Sequence, residues 1–175
     1  MQCCNVRKPI LKNPSATKTV LTLIFIIASV TTPVFAASTA PDFNLPTLKG
    51  GKVQLSQHRG EVVYVDFWAT WCAPCRKSLP WMEQMHEKYK DLGFTIIGVS
   101  MDGKREVTEK FIKANGVNFT IARDPKGKIA DVFGVRGMPS SYLIDRNGKI
   151  IYSHEGFRDS DKGALEQHFK QALAQ

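Results

Sequence analysis

The chain has 175 residues, of which 43% are hydrophobic, with 24 basic against 16 acidic side chains and a formal net charge of +8. Arg7, Lys8, Lys12 and Lys18 sit in an acid-free leader, so 20 basic against 16 acidic residues remain beyond residue 36, a charge of +4. Those 139 residues suffice for one domain with a genuine core but not for two, and they hold no basic run with interleaved aromatics of the kind that binds nucleic acid.

In chain order, the basic leader is followed by the apolar stretch 20–30, which at 11 residues is short for a bilayer span but suits the core of a signal peptide. Pro33 breaks the stretch, and Val34-Phe35-Ala36 closes it with small residues where a signal peptidase reads. Residues 1–36 are therefore expected to be a signal peptide cleaved after Ala36, with an uncleaved anchor in the inner membrane as the competing reading. Either way the remainder is exported and faces the periplasm. Cys3 and Cys4 precede the apolar core rather than follow it, which argues against lipid attachment. The exported part then keeps two cysteines, Cys72 and Cys75.

Residues 37–41 read as a linker, and 42–175 as the domain. Segments 43–48 and 52–55 flank Gly50-Gly51, a hairpin signal. After Glu61, residues 62–68 form an apolar run broken only by Asp66, as expected of a strand, over 61–68, covered on both faces. A helix over 73–90 would bury Leu79, Met82, Met85 and Tyr89 at helical spacing, with Pro80 inside it removing one backbone bond. A second buried strand, 94–101, runs parallel to the first if the helix crosses over between them. Residues 108–114 read as a helix, 119–122 as a short strand and 128–133 as a short helix. Segments 141–145 and 149–153 surround Asn147-Gly148, a strong hairpin signal. A closing helix, capped by Ser160 or Asp161, repeats Leu165, Phe169 and Leu173 every four residues.

The chemistry concentrates at Trp71-Cys72-Ala73-Pro74-Cys75. A strand, then a C-x-x-C pair, then a helix is what a redox-active dithiol requires. A thiolate at Cys72 sits at the amino end of the helix, where free N–H groups and the helix dipole favour negative charge, so Cys72 should be acidic and reactive. Cys75, one turn on, can pair with it or attack a mixed disulfide formed there. So small a loop adds little stability, which leaves chemistry as the reason for the pair. Zinc normally takes four protein ligands, no second cysteine pair exists, and His58, His86, His154 and His168 are scattered singly, so neither a metal nor a cofactor is called for. Haem attachment is excluded because residue 76 is arginine. Asp66, on a buried strand, should have its pKa raised by desolvation and is the candidate to take the proton of Cys75; pairing with a lysine elsewhere is the alternative. Lys104-Arg105 reads as solvated loop.

Val65-Asp66-Phe67-Trp68-Ala69-Thr70-Trp71-Cys72-Ala73-Pro74-Cys75 resembles the active-site signature of the thioredoxin superfamily, and Pro80 matches the proline of its active-site helix. Gly137-Met138-Pro139-Ser140-Ser141 resembles the segment bearing its cis-proline. The amino-terminal hairpin, the leader and the extra helix and strand between Asp102 and Ala122 resemble its exported TlpA-like and ResA-like branch. The resemblance implies an α/β thioredoxin fold, with a central mixed sheet flanked by helices, an amino-terminal β-hairpin and a central helix-strand insertion. It implies a thiol-disulfide oxidoreductase with Cys72 as nucleophile and Cys75 as resolving thiol. It also implies a substrate groove at Trp71, Met138 and Pro139, where a cis bond exposes the backbone of Met138 to an extended client segment. Phe67 and Trp68 are expected in the core. The implied partners are protein disulfides, apocytochrome c among them, and a membrane thiol relay of the DsbD or CcdA type that recharges a monomeric protein. Two departures stand out: Ser78 where many branch members carry an acid, and Gly98 where thioredoxin pairs its buried aspartate with a lysine. Two other functions remain open. A thiol peroxidase would want P-x-x-x-T-x-x-C, and here those positions are Val65 and Ala69. A copper or other thiophilic-metal carrier would use Cys72 and Cys75 alone.

Overall fold

The computed structural model describes residues 38–175; the leader, with Cys3 and Cys4, lies outside the described residues. Seven strands follow in order: β1 (Asn44–Pro46), β2 (Lys52–Gln54), β3 (Val62–Trp68), β4 (Phe94–Ser100), β5 (Thr120–Arg123), β6 (Ser140–Ile144) and β7 (Ile150–Glu155). Four helices join them: α1 (Ala73–Tyr89), α2 (Arg105–Ala114), α3 (Lys128–Val132) and α4 (Lys162–Leu173). The five-stranded sheet has the order β5-β4-β3-β6-β7. β3, β4 and β5 are parallel, while β6 and β7 are antiparallel to their neighbours. This is the expected thioredoxin arrangement, and β1 and β2 make the separate amino-terminal hairpin.

The central strand explains the architecture. All seven residues of β3 are buried, so both faces of the sheet must be covered. Tyr64 and Trp68 pack with Ile96 and Leu143 beneath Leu79, Met82 and Met85 of α1 and Leu165 and Phe169 of α4. Val63, Val65 and Phe67 face the other way, onto Leu45 and Val53 of the hairpin and Ala130 and Phe133 around α3. Pro80 lies inside α1, and a 3-10 turn over Lys90–Leu92 ends at Gly93, whose φ of 79° is open to glycine at little cost.

Three local expectations are corrected. α2 starts at Arg105, not 108, because Lys104 is the last extended residue and the Arg105–Glu109 ion pair, 2.6 Å, spans the first turn. Arg105 is thus no solvated loop residue: its guanidinium also donates to the carbonyl of Leu48 at the end of the hairpin. Asp161, one of the two expected caps, stands at the N-cap position of α4, but its side chain makes no capping hydrogen bond. A 3-10 turn over Asp159–Asp161 runs directly into the helix, and the Asp161 carboxylate instead accepts from the Arg158 N–H at 2.7 Å. Residues 38–40, expected as linker, are tied to the β6–β7 hairpin: the Ala40 N–H donates to Gly148 O and the Ile150 N–H to Ser38 O, both at 2.9 Å.

Candidate active site

β3 delivers the site. Its last residue, Trp68, is followed by a turn in which the Cys72 N–H donates to Ala69 O at 3.2 Å, and Cys72 becomes the residue that caps α1. Cys72 is still extended, with φ −82° and ψ 108°, and its Sγ accepts from the Cys75 N–H at 3.3 Å. Pro74 fits the first turn, where a missing N–H breaks no helical bond. No acidic side chain occupies that turn, so nothing offsets the positive end of the helix. Cys72 and Cys75 form a disulfide. Their access is unequal: Cys72 is 6% exposed and Cys75 is 0% exposed. A disulfide is attacked at whichever sulfur a thiolate can reach, and both residues are buried, so the small exposure that the pair has lies on the side of Cys72.

Around the pair, Trp71 is 67% exposed, whereas Phe67 and Trp68 lie in the two cores on either face of the sheet. The Met138–Pro139 bond is cis. Two hydrogen bonds hold this loop: Gly156 N–H to Pro139 O at 2.8 Å, and Ser140 Oγ to Gly137 O at 2.7 Å. Among the described residues, neither the N–H nor the C=O of Met138 has a hydrogen-bond partner. A groove of about 190 Å³ adjoins it, lined by Met101, Ala130, Val135, Arg136 and Met138.

Asp66 is 1% exposed and takes part in no ion pair among the described residues. Burial pushes its carboxyl up to about 7, against the opposing effect of one hydrogen bond from Ser141. That bond, Ser141 Oγ to Oδ1 at 2.7 Å, crosses from β6, where Ser141 is the register partner of Asp66. Oδ2 is buried with no partner. On the other side the register partner is Gly98, so the position where thioredoxin carries its lysine lies directly beside Asp66 and holds no side chain. The space is filled by neighbours: a Cβ at residue 98 would stand 3.0 Å from Ile121 and Phe119 and 3.1 Å from Trp68 Nε1. Ser78, the second departure, is buried on α1 and donates to Cys75 O at 3.1 Å.

Several residues at the site carry no readable signal in the sequence. Ser141 lies 75 positions from Asp66, and nothing distinguishes it from other strand serines. Asp102 is the larger omission. Only 3% exposed, it accepts hydrogen bonds from the Thr70 N–H and hydroxyl and from Ser100 and Thr108. The four histidines are not wholly separate either: His168 stacks on Tyr152 at 3.8 Å and His154 lies against the same ring at 6.3 Å.

The comparisons agree with this geometry. The AhpC/TSA family matches residues 36–153. Over 131 residues the chain is 37% identical to the thiol-disulfide oxidoreductase ResA of Bacillus thuringiensis subsp. konkukian, covering 75% of each chain. It is 38% identical over 119 residues to the ResA of Geobacillus kaustophilus, covering 68% of each. Among solved structures, one described as a thiol:disulfide interchange protein DsbE from Chlorobium tepidum superposes with a TM-score of 0.76 at 52% identity, covering 78% of this chain and 96% of that one. A cysteine pair at a helix amino end is suited to the thiol-disulfide exchange those names describe. The chain belongs to the AhpC/TSA family within the thioredoxin superfamily, and it is a thioredoxin-like thiol-disulfide oxidoreductase.

Proposed function

We propose that this oxidoreductase is exported and reduces protein disulfides in the periplasm. The unequal access of the two sulfurs carries the reading, because it assigns them different steps. The Cys72 thiolate attacks one sulfur of a client disulfide, a mixed disulfide forms, and the client's other sulfur leaves as a thiolate. Cys75 then gives its proton to the Asp66 carboxylate, directly or through water, and its thiolate attacks Cys72 Sγ. The client's second thiolate departs, the client has gained two electrons, and the Cys72–Cys75 disulfide is formed. An acid with a pKa near 7 can accept and later release that proton at neutral pH. The exposed Trp71 and the unpaired peptide groups of Met138 beside Pro139 suit an extended client segment, whose own backbone would bond to Met138 as an added strand.

The resemblance to the exported TlpA-like and ResA-like branch supports the direction of reduction and an extracytoplasmic location. The basic, apolar leader supports export. A reductase outside the cytoplasm needs electrons, so a membrane thiol relay of the DsbD or CcdA type is the recharging partner, and apocytochrome c is the client class. The test is the equilibrium reduction potential of the Cys72/Cys75 couple. A value near or below about −250 mV supports a reductant, and one above about −150 mV would overturn that direction. Cys75→Ser should accumulate a mixed disulfide through Cys72, whereas Cys72→Ser should trap none.

A further inference from the structure

We propose that Asp102 is a positioning residue for the reaction: it fixes the turn 69–72 that aims Trp71 and Cys72, and through Thr108 it makes the inserted helix α2 part of the active site.

The register brings these residues together. Trp68 and Ser100 are parallel partners at the ends of β3 and β4, and the Met101 N–H closes the last rung onto Trp68 O at 2.8 Å. Beyond that rung the chains part, one toward Cys72 and the other toward α2. Thr70 stands two residues past Trp68 and Asp102 two past Ser100. Across the gap the Thr70 N–H donates to both carboxylate oxygens, at 3.1 and 3.2 Å, and its hydroxyl donates to Oδ1 at 2.9 Å. On the far side Oδ2 accepts from Thr108 Oγ1 at 3.0 Å and from Ser100 Oγ at 3.3 Å. Those two hydroxyls also lie 3.0 Å from each other.

Thr70 is the second residue of the turn closed by the Cys72 N–H and Ala69 O. Its N–H and its hydroxyl are both held by one buried carboxylate, so the turn has little freedom left. The next two residues are the exposed Trp71 and the nucleophile Cys72. Displacement of the turn would carry Cys72 Sγ off the Cys75 N–H and off the line of attack on a client disulfide, and rate depends steeply on such alignment. Thr108 is fully buried on α2, so the insertion contributes a hydrogen bond to the brace as well as packing.

The test separates position from charge. In the reduced Cys75→Ser protein, the alkylation rate of Cys72 is followed against pH for Asp102→Ala and Asp102→Asn. Asparagine keeps an acceptor oxygen for Thr70, and its amide can donate to Ser100 and Thr108, whose hydroxyls can turn to accept. If Asp102 positions the turn, alanine raises the midpoint of the profile, because Sγ loses its N–H partner, and asparagine stays close to the parent. With both cysteines present, client reduction by Asp102→Ala falls about tenfold or more, and Asp102→Asn recovers most of it. An unchanged midpoint in both folded variants would overturn the proposal. So would a lowered midpoint in both, the signature of a lost negative charge, or asparagine performing no better than alanine. If Asp102→Ala does not fold, Thr70→Val removes one hydroxyl at nearly constant volume, and a smaller rise in the same direction is required of it.

Discussion

Asp66 and Asp102 are two of three aspartates, with Asp124, buried near the end of the sheet that leads to the cysteines, and what separates these two is the number of donors they meet. Asp66 on β3 accepts one hydroxyl and keeps an unpartnered oxygen. Asp102, just past β4, accepts from three hydroxyls and a backbone N–H. Burial with few donors penalises the charged form, so Asp66 holds its proton up to about pH 7 and suits proton transfer. Burial with many donors ties neighbouring segments together. A buried carboxylate is therefore a proton reservoir or a brace according to its hydrogen-bond complement, and one turn of chain between β3 and α1 is served by both kinds.

The largest departure from that contrast should come from Asp66→Asn. The folded-state pKa lies above the unfolded value of about 4, so the wild-type protein binds the extra proton when folded. Its stability advantage is complete below pH 4 and is lost as pH rises through about 7. The amide never ionises, so the variant should gain stability over wild type progressively across that range, reaching on the order of 4 kcal/mol above pH 8. Urea melts at pH 4, 6 and 8 measure this, and a constant difference would refute the assignment. The same variant should slow release of the client from the mixed disulfide above pH 7 by about tenfold or more.

A smaller effect of opposite sign is expected for Asp102→Ala, a loss of about 2–3 kcal/mol, because Ser100 and Thr108 still have each other while the Thr70 groups lose their acceptor. Urea melts at neutral pH measure the loss, and an unchanged stability would erase the distinction between reservoir and brace. The smallest effect belongs to Gly98→Ala, about 1–2 kcal/mol of destabilisation, because the new methyl presses on Ile121, Phe119 and the Trp68 indole at 3.0–3.1 Å. A neutral result in thermal melts would mean that these side chains give way easily and that a longer residue could be accommodated beside Asp66.

Much of this was legible in the chain. The apolar run 62–68, the C-x-x-C pair and the helical spacing behind it located β3, the reactive turn and α1 to within a residue or two, because local pattern and burial on both faces agree there. Asn147-Gly148 located the last hairpin for the same reason: Asp145 Oδ1 accepts from the N–H groups of Asn147 and Lys149, and Arg59 lies over Gly148 where any Cβ would collide. The start of α2 was misjudged, and the side-chain partner of Asp161 at the N-cap of α4 was not foreseen, because each end is settled by a contact, Arg105 with Glu109 and Leu48, and Asp161 with Arg158, that no periodicity announces.

From sequence alone came the identity of the reacting atoms: two sulfurs three positions apart at a helix start, an aspartate on a buried strand, and a proline ahead of an antiparallel pair. Side-chain type and short-range spacing suffice for those, since the helix dipole and the strand's burial follow from local pattern. Only the tertiary structure decided which sulfur is reachable, that Ser141 and Gly98 flank Asp66, and that Thr70, Asp102 and Thr108 meet. Those facts depend on strand register and on contacts across 32 and 75 positions, and a one-residue slip of β6 would turn Ser141 to the opposite face, away from Asp66.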